Sequence, residues 1–81
     1  MKLPRNLTGA QLIKSLEQLG YQPTRQTGSH VRLTCPSPEA HHLTIPLHDP
    51  LRIGTLAAIL AEVATHHGTT RDAVLAKLFG K

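Results

Sequence analysis

The sequence predicts an α+β domain in which helices pack on one face of a three-stranded antiparallel sheet. Apolar residues recur at helical spacing towards each end of the chain, whereas its middle third alternates apolar and polar residues. Short turn-forming segments separate the alternating stretches, and strands joined in this way pair antiparallel. Because 81 residues suit one domain, we expect a single domain over residues 1–81.

The first helix is predicted to begin after Thr8 and to end at Gly20. Thr8 is a favourable N-cap residue, and Gln11 three positions later completes a capping box. Glycine adopts the left-handed conformation cheaply and therefore ends a helix well. The apolar stripe of this helix consists of Leu12, Ile13, Leu16 and Leu19.

Three strands are predicted in the middle of the chain. They are expected at residues 21–27, 30–35 and 42–48, joined by a turn at Gly28-Ser29 and a loop over 36–41. Pro23 cannot donate a backbone hydrogen bond, so the first strand is expected at an edge of the sheet or interrupted there.

Alternation predicts which face of the sheet each side chain occupies. One face is expected to carry Val31, Leu33, Cys35, Leu43, Ile45 and Leu47. The other face is expected to carry His30, Arg32, Thr34, His42, Thr44, Pro46 and His48. Because the helices must bury their apolar stripes, they are expected to cover the first face and to leave His30 facing solvent.

Two more helices complete the predicted order. Thr55 is expected to cap the second helix, and Gly68 to end it. His66 and His67 lie in its last turn, where the helix dipole favours positive charge. The third helix is expected to begin at Thr69 or Thr70. The apolar sides of the two helices are Leu56, Ile59, Leu60 and Val63, and Val74, Leu75, Leu78 and Phe79.

Composition limits the classes of partner. Nine Lys and Arg residues against five acidic residues give a net charge of +4 and a pI near 9.9. This charge suits a nucleic-acid partner, and equally a small basic protein without one. One Tyr and one Phe argue against a protein that stacks single-stranded bases on aromatic rings. A single cysteine excludes an internal disulfide, and no membrane segment or signal core is visible, so we expect a cytoplasmic protein.

His30 and Arg32 are the strongest candidates for chemistry. They lie two positions apart on one strand face, about 6–7 Å along the strand. An imidazole can act as a general base near neutral pH, and a guanidinium can hold a phosphate. A solvated strand face carries such residues too, and on composition and spacing alone this structural interpretation is favoured. No metal site is predicted, since adjacent residues such as His41-His42 point to opposite faces of a strand.

Four stretches together resemble the HicA family of small bacterial toxins, also called the YcfA-like family. They are TGAQLIKSLEQLGY (8–21), RQTGSH (25–30), LTIPLH (43–48) and IGTLAAIL (53–60). The resemblance covers roughly residues 6–79, and the order of its pieces agrees with the predicted elements. The chain departs from many members in lacking an aromatic residue shortly after His30 and in its proline-rich loop.

The resemblance implies a fold like that of the double-stranded-RNA-binding domain and a metal-independent endonuclease that cleaves mRNA without a cofactor. It implies neutralisation by a HicB-like antitoxin, and it makes His30 the catalytic residue. The expected RNA-binding residues are Arg25, Gly28, Ser29, Arg32 and His48. Either arginine would stabilise the phosphorane, and His48 is a candidate general acid. The alternatives are a non-catalytic RNA-binding module and a family member that has lost catalysis but still binds its antitoxin.

Overall fold

A computed structural model of the protein, which describes residues 3–36 and 39–80, confirms the predicted α+β architecture. The elements are α1 (Gly9–Leu16) with a 3₁₀ turn (Glu17–Leu19), β1 (Gln22–Thr27), β2 (His30–Cys35), β3 (His41–Pro46), α2 (Ile53–His66) and α3 (Arg71–Phe79). The strands form one open antiparallel sheet in the order β1-β2-β3. This arrangement is consistent with a double-stranded-RNA-binding-domain-like fold. None of the described helices is long and apolar enough to span a membrane.

The first helix begins as predicted. Gln11 N donates to Thr8 Oγ1 over 3.1 Å, and Thr8 N donates to Gln11 Oε1 over 2.9 Å, which completes the capping box. Gly20 ends the following 3₁₀ turn with φ at 92°. At the other end, Gly9 is required by close packing, because a Cβ there would collide with the backbone of Pro46. The start of α1 therefore rests directly on the end of β3.

The core lies between the helices and one face of the sheet. The largest fully buried side chains are Tyr21, Leu12, Leu16, Leu33, Leu43, Ile45, Leu56, Leu60 and Val63. The apolar faces predicted for β2 and β3 are the buried ones. All six residues of β1 are exposed, so it is an edge strand with neither face covered. Polar side chains on the opposite face of the sheet are thus left open to solvent.

Two boundaries differ from the prediction. β3 spans His41–Pro46 and not residues 42–48, and residues 37 and 38 of the predicted loop lie outside the described part of the chain. Leu47, expected on the buried face, is 37% exposed because the chain leaves the sheet at Pro46.

The start of α2 was also predicted wrongly. The helix begins at Ile53 with Arg52 as its N-cap residue and no side-chain cap, so Thr55 lies within the first turn. The buried residue Leu51 donates its N–H to Leu7 O over 2.7 Å. This tertiary contact fixes where the chain turns into the helix and overrides the local capping preference.

The third helix is capped by Thr70, one of the two expected residues. Thr70 Oγ1 accepts a hydrogen bond from Ala73 N over 3.1 Å. Val74, Leu75 and Leu78 are buried and Phe79 is half-buried. The helix therefore packs its predicted apolar side against α1 and α2.

Candidate nucleic-acid interface

A two-residue turn places His30 at the start of the central strand. Thr27 and His30 form the last cross-strand pair of β1 and β2, with Gly28 and Ser29 between them. Gly28 has φ at 58°, whereas among the described residues Asn6 is the only non-glycine residue with positive φ. This is the sign pattern of a type II′ turn, which suits the twist of a hairpin. Leu47 N donates to Ser29 O over 2.7 Å and ties the turn to the chain after β3.

The strand register gathers a polar group on the solvent face. His30 is opposite Thr27, and Arg32 is opposite both Arg25 and Thr44. Directly opposite residues in an antiparallel pair share one face. These five residues line a shallow depression of about 270 Å³. We call it the His30 depression.

A β-bulge in β1 is what brings Arg25 to this depression. The register shifts between Pro23 and Arg25, so that Thr24 is an extra residue on β1. In a regular strand Arg25 would share the face of Tyr21, which is buried in the core. The bulge reverses the alternation and turns Arg25 to the solvent face opposite Arg32. A 2.9 Å hydrogen bond between the hydroxyls of Thr24 and Thr34 holds the extra residue.

The His30 depression carries positive charge that favours an anion. Arg25 and Arg32 are directly opposite each other, and none of the five lining residues is acidic. Like charges directly opposite each other destabilise a sheet. A phosphate between the two guanidinium groups would replace that repulsion by charge-assisted hydrogen bonds.

Three of the predicted site residues do not line the depression. Gly28 and Ser29 form the turn that precedes His30, where Gln26 Nε2 donates to Gly28 O over 3.0 Å. His48 is exposed and lies beyond the end of β3. Its carbonyl accepts a hydrogen bond from Gly9 N over 3.0 Å, so its backbone anchors the start of α1.

Larger hollows lie elsewhere on the molecule. One of about 720 Å³ is lined by the outer side of α1 and by Phe79, and it holds neither a histidine nor an arginine. Volume alone does not identify a nucleic-acid site, because a nucleic-acid backbone binds to open, positively charged surfaces. The combination of an imidazole with two guanidinium groups makes the smaller depression the better candidate.

The structure brings together a second group of titratable side chains, which the sequence did not predict. We call it the histidine cluster, formed by Tyr21, Cys35, His41, His66 and His67. Ligand atoms of Cys35, His66 and His67 all lie within 4.8 Å of one another. The His41 ring stacks on His66 with centroids 4.3 Å apart, and its Nδ1 shares a 2.7 Å hydrogen bond with the Tyr21 hydroxyl.

The sequence contained only a partial signal for this cluster. His66 and His67 are adjacent at a helix end, and the one cysteine closes a strand far away in the chain. Local spacing cannot show that these two ends meet, because the packing of α2 on the sheet brings them together.

Burial changes the acid–base properties of the histidine cluster. Desolvation lowers the pKa of His67, and the neighbouring His66 and Lys77 lower it further. Desolvation and then His66 also lower the pKa of His41. The helix dipole was expected to favour positive charge at His67, but desolvation outweighs it. Burial, with Cys35 and Glu62, raises the pKa of Tyr21 to about 12.

Comparison with known proteins identifies the family. The family model of the HicA toxin of bacterial toxin–antitoxin systems matches residues 9–64. No curated protein and no solved structure matches the chain. The matched range runs from the first residue of α1 into the last turns of α2 and includes the whole His30 depression. The chain therefore belongs to the HicA family, the toxins of bacterial toxin–antitoxin systems.

Proposed function

We propose that the protein is a ribonuclease that cleaves mRNA in the His30 depression, with His30 as general base. The observation that carries this proposal is the meeting of one imidazole and two guanidinium groups in a single solvent-facing depression. Membership of a toxin family supports it, because cleavage of mRNA is a direct way to arrest growth.

The proposed reaction uses a nucleophile that the RNA itself supplies. His30 accepts the proton of a 2′-hydroxyl while that oxygen attacks the adjacent phosphorus. The bond to the 5′-oxygen breaks, and this oxygen receives a proton from His48. The products are a 2′,3′-cyclic phosphate and a 5′-hydroxyl. DNA lacks the 2′-hydroxyl and is not cleaved.

Arg25 and Arg32 would supply electrostatic stabilisation. Their guanidinium groups approach from two neighbouring strands and can hold the non-bridging oxygens of one phosphate. Charge grows on these oxygens during attack, so the contacts strengthen in the transition state. No metal ion is required for any of these steps.

The remaining predicted residues would act at the margin of the depression. Gly28 and Ser29 are exposed beside His30, and an added Cβ on Gly28 would meet no atom within 4 Å, so the turn is open to a neighbouring ribose-phosphate. We propose that His48 is a general acid. A general acid must be protonated to act, so His48→Ala should remove the alkaline limb of the pH profile of kcat.

The partner of the toxin is an antitoxin. We propose that it resembles HicB and inhibits by covering the open face of the sheet and with it the His30 depression. We further propose that residues 1–81 act as one domain in the cytoplasm, where mRNA is translated.

The first experiment is an RNA cleavage assay in the presence of a chelator. We expect wild-type protein to cleave labelled RNA and His30→Ala to lose about 10²–10⁴-fold in rate. His42→Ala is the matched control, since His42 is an exposed histidine of β3 that hydrogen-bonds Thr34 and does not line the depression. It should cleave at the wild-type rate, and the product should carry a cyclic phosphate.

Other outcomes point to the alternatives. RNA that stays intact with wild-type protein but is bound through Arg25 and Arg32 would indicate a non-catalytic RNA-binding module. Intact, unbound RNA with retained antitoxin binding would indicate a toxin that has lost catalysis. Equal cleavage by wild type and His30→Ala would show that another group is the base.

A further inference from the structure

We propose that Cys35, His66 and His67 bind one divalent transition-metal ion, best matched by Zn²⁺, at the end of the sheet remote from His30. Their ligand atoms lie within 4.8 Å of one another. One thiolate with two imidazoles is a ligand set that suits zinc. The site goes beyond the proposed ribonuclease, which does not use it.

A buried nitrogen supports the proposal independently. Nε2 of His67 is buried and has no hydrogen-bond partner among the described residues. Buried polar atoms are nearly always paired, because leaving one without a partner costs about 1–3 kcal/mol. A metal ion bound to this nitrogen would supply the partner that it lacks. The backbone holds the residue in place, since His67 N donates to Val63 O over 3.0 Å.

The geometry requires a modest closure around the ion. Zinc lies about 2.3 Å from sulfur and about 2.0–2.1 Å from nitrogen, which puts tetrahedral ligand atoms roughly 3.5 Å apart. Small rotations of the three side chains would bring their ligand atoms, now within 4.8 Å of one another, to that spacing. Cys35 Sγ also donates to Leu19 O over 3.5 Å, a weak bond that the thiolate would give up.

An open depression beside the cluster reaches His66, one of the three proposed ligands. It measures about 450 Å³ and is lined by His41, Ala61, Glu62, Thr65 and His66. The fourth coordination position would be taken by water or by His41, whose ring is stacked on His66. Glu62 at the rim carries a negative charge that favours a cation.

The metal would have a structural role. His30 and Cys35 are the two ends of β2, which places them about 16 Å apart along the strand. An ion at Cys35 is thus too far away to touch RNA at His30. Instead it would join the end of α2 to the end of β2, two elements that local sequence does not connect.

The test uses untagged protein, freed of metal by dialysis against a chelator and titrated with Co²⁺ or Zn²⁺. We expect Co²⁺ to give a thiolate charge-transfer band and the strong visible bands of tetrahedral coordination. Zinc at 100-fold above its Kd should raise the thermal midpoint by about 10–20 °C. Cys35→Ser should lose the charge-transfer band.

The variants make the result decisive. His67→Gln keeps a half-buried polar side chain and should lose both the cobalt bands and the zinc-induced stabilisation, even if Cys35→Ser fails to fold. His42→Ala, altered at a histidine outside the cluster, should bind as wild type does. The proposal is overturned if wild type gives no charge-transfer band at saturating cobalt, or if His67→Gln binds as tightly. RNA cleavage by His67→Gln in the presence of chelator tests the ribonuclease separately, because the proposed reaction uses no metal ion. Cleavage together with absent metal binding would contradict only the metal site.

Discussion

At the scale of single residues, the proposed contact with phosphate depends on the planar guanidinium group of arginine, which can form two parallel hydrogen bonds. Arg32 lies beside His30 on the same strand face and opposite Arg25, so its guanidinium is central to the proposed phosphate contact. We expect Arg32→Ala to lower kcat by about 10²–10³-fold, the usual cost of removing one donor to developing charge. Lysine keeps the charge but not the bidentate geometry, and Arg32→Lys should recover only part of the rate.

The control for this prediction is Arg71→Ala, which removes an equal charge from the first turn of α3, away from the sheet face. Rates for all variants should be measured over a range of salt concentrations. A loss in Arg71→Ala equal to that in Arg32→Ala would mean that only net charge matters.

Tyr21 gives a residue-scale test of the core. Its hydroxyl forms a hydrogen bond with His41 Nδ1. Burial raises the pKa of Tyr21 to about 12 from the ordinary 10.0. A raised pKa means that the folded state prefers the neutral phenol. The contribution of the neutral phenol to the free energy of unfolding is fully present below pH 10 and is lost as pH rises towards 12. Tyr21→Phe has no group to ionise and loses only the hydrogen bond, about 1 kcal/mol.

We therefore expect the stability advantage of wild type over Tyr21→Phe to shrink between pH 10 and 12. Urea unfolding of the two proteins at several pH values in this range, with chelator present, measures the difference directly. A difference that stays constant through this range would mean that Tyr21 ionises as easily in the folded state as in the unfolded state.

At the scale of elements, the bulge in β1 allows Tyr21 to be buried while Arg25 faces solvent. Deleting Thr24 removes the extra residue and leaves Arg25 opposite Arg32, so cleavage should stay within a few-fold of wild type. Deleting Gln26 also shortens the strand by one residue. With the turn unchanged, however, this deletion moves Arg25 opposite Val31 and onto the other face of the sheet.

We expect the Gln26 deletion to lose about 10²-fold in cleavage rate, as loss of a phosphate contact does. Both faces of β1 are exposed, so the reversed arginine should cost little stability, and thermal unfolding of both deletions checks this. Equal activity of the two deletions would show that Arg25 does not act from this face.

How far the sequence predicts these elements depends on whether local or distant contacts set them. The faces of β2 and the cap of α1 follow from alternation and from the Thr8 and Gln11 pair, and both are confirmed. The start of α2 does not follow, because the contact of Leu51 with Leu7 sets it. The bulge and the histidine cluster also depend on pairing and packing between segments, which no local pattern records.

At the scale of the whole molecule, the two sites lie at opposite ends of β2. The His30 depression opens on the solvent face at the start of this strand, and the histidine cluster lies at its end, where Cys35 meets α2. One end is open and positively charged, whereas the other holds partly buried rings. Substitutions in the His30 depression should therefore leave the histidine cluster intact, and the reverse should hold too.

The third helix lies outside the range matched by the family, yet it closes the core. Leu75 is 3% exposed and faces the other helices, whereas Ala73 of the same helix is exposed. Leu75→Asp buries an unpaired carboxylate and should cost at least about 3 kcal/mol of a total near 5–15 kcal/mol. Ala73→Asp adds the same charge to the first turn, where the helix dipole accepts it. Thermal unfolding should show a large loss only for Leu75→Asp. Comparable midpoints for the two variants would mean that α3 is an appendage and that α1, α2 and the sheet fold without it.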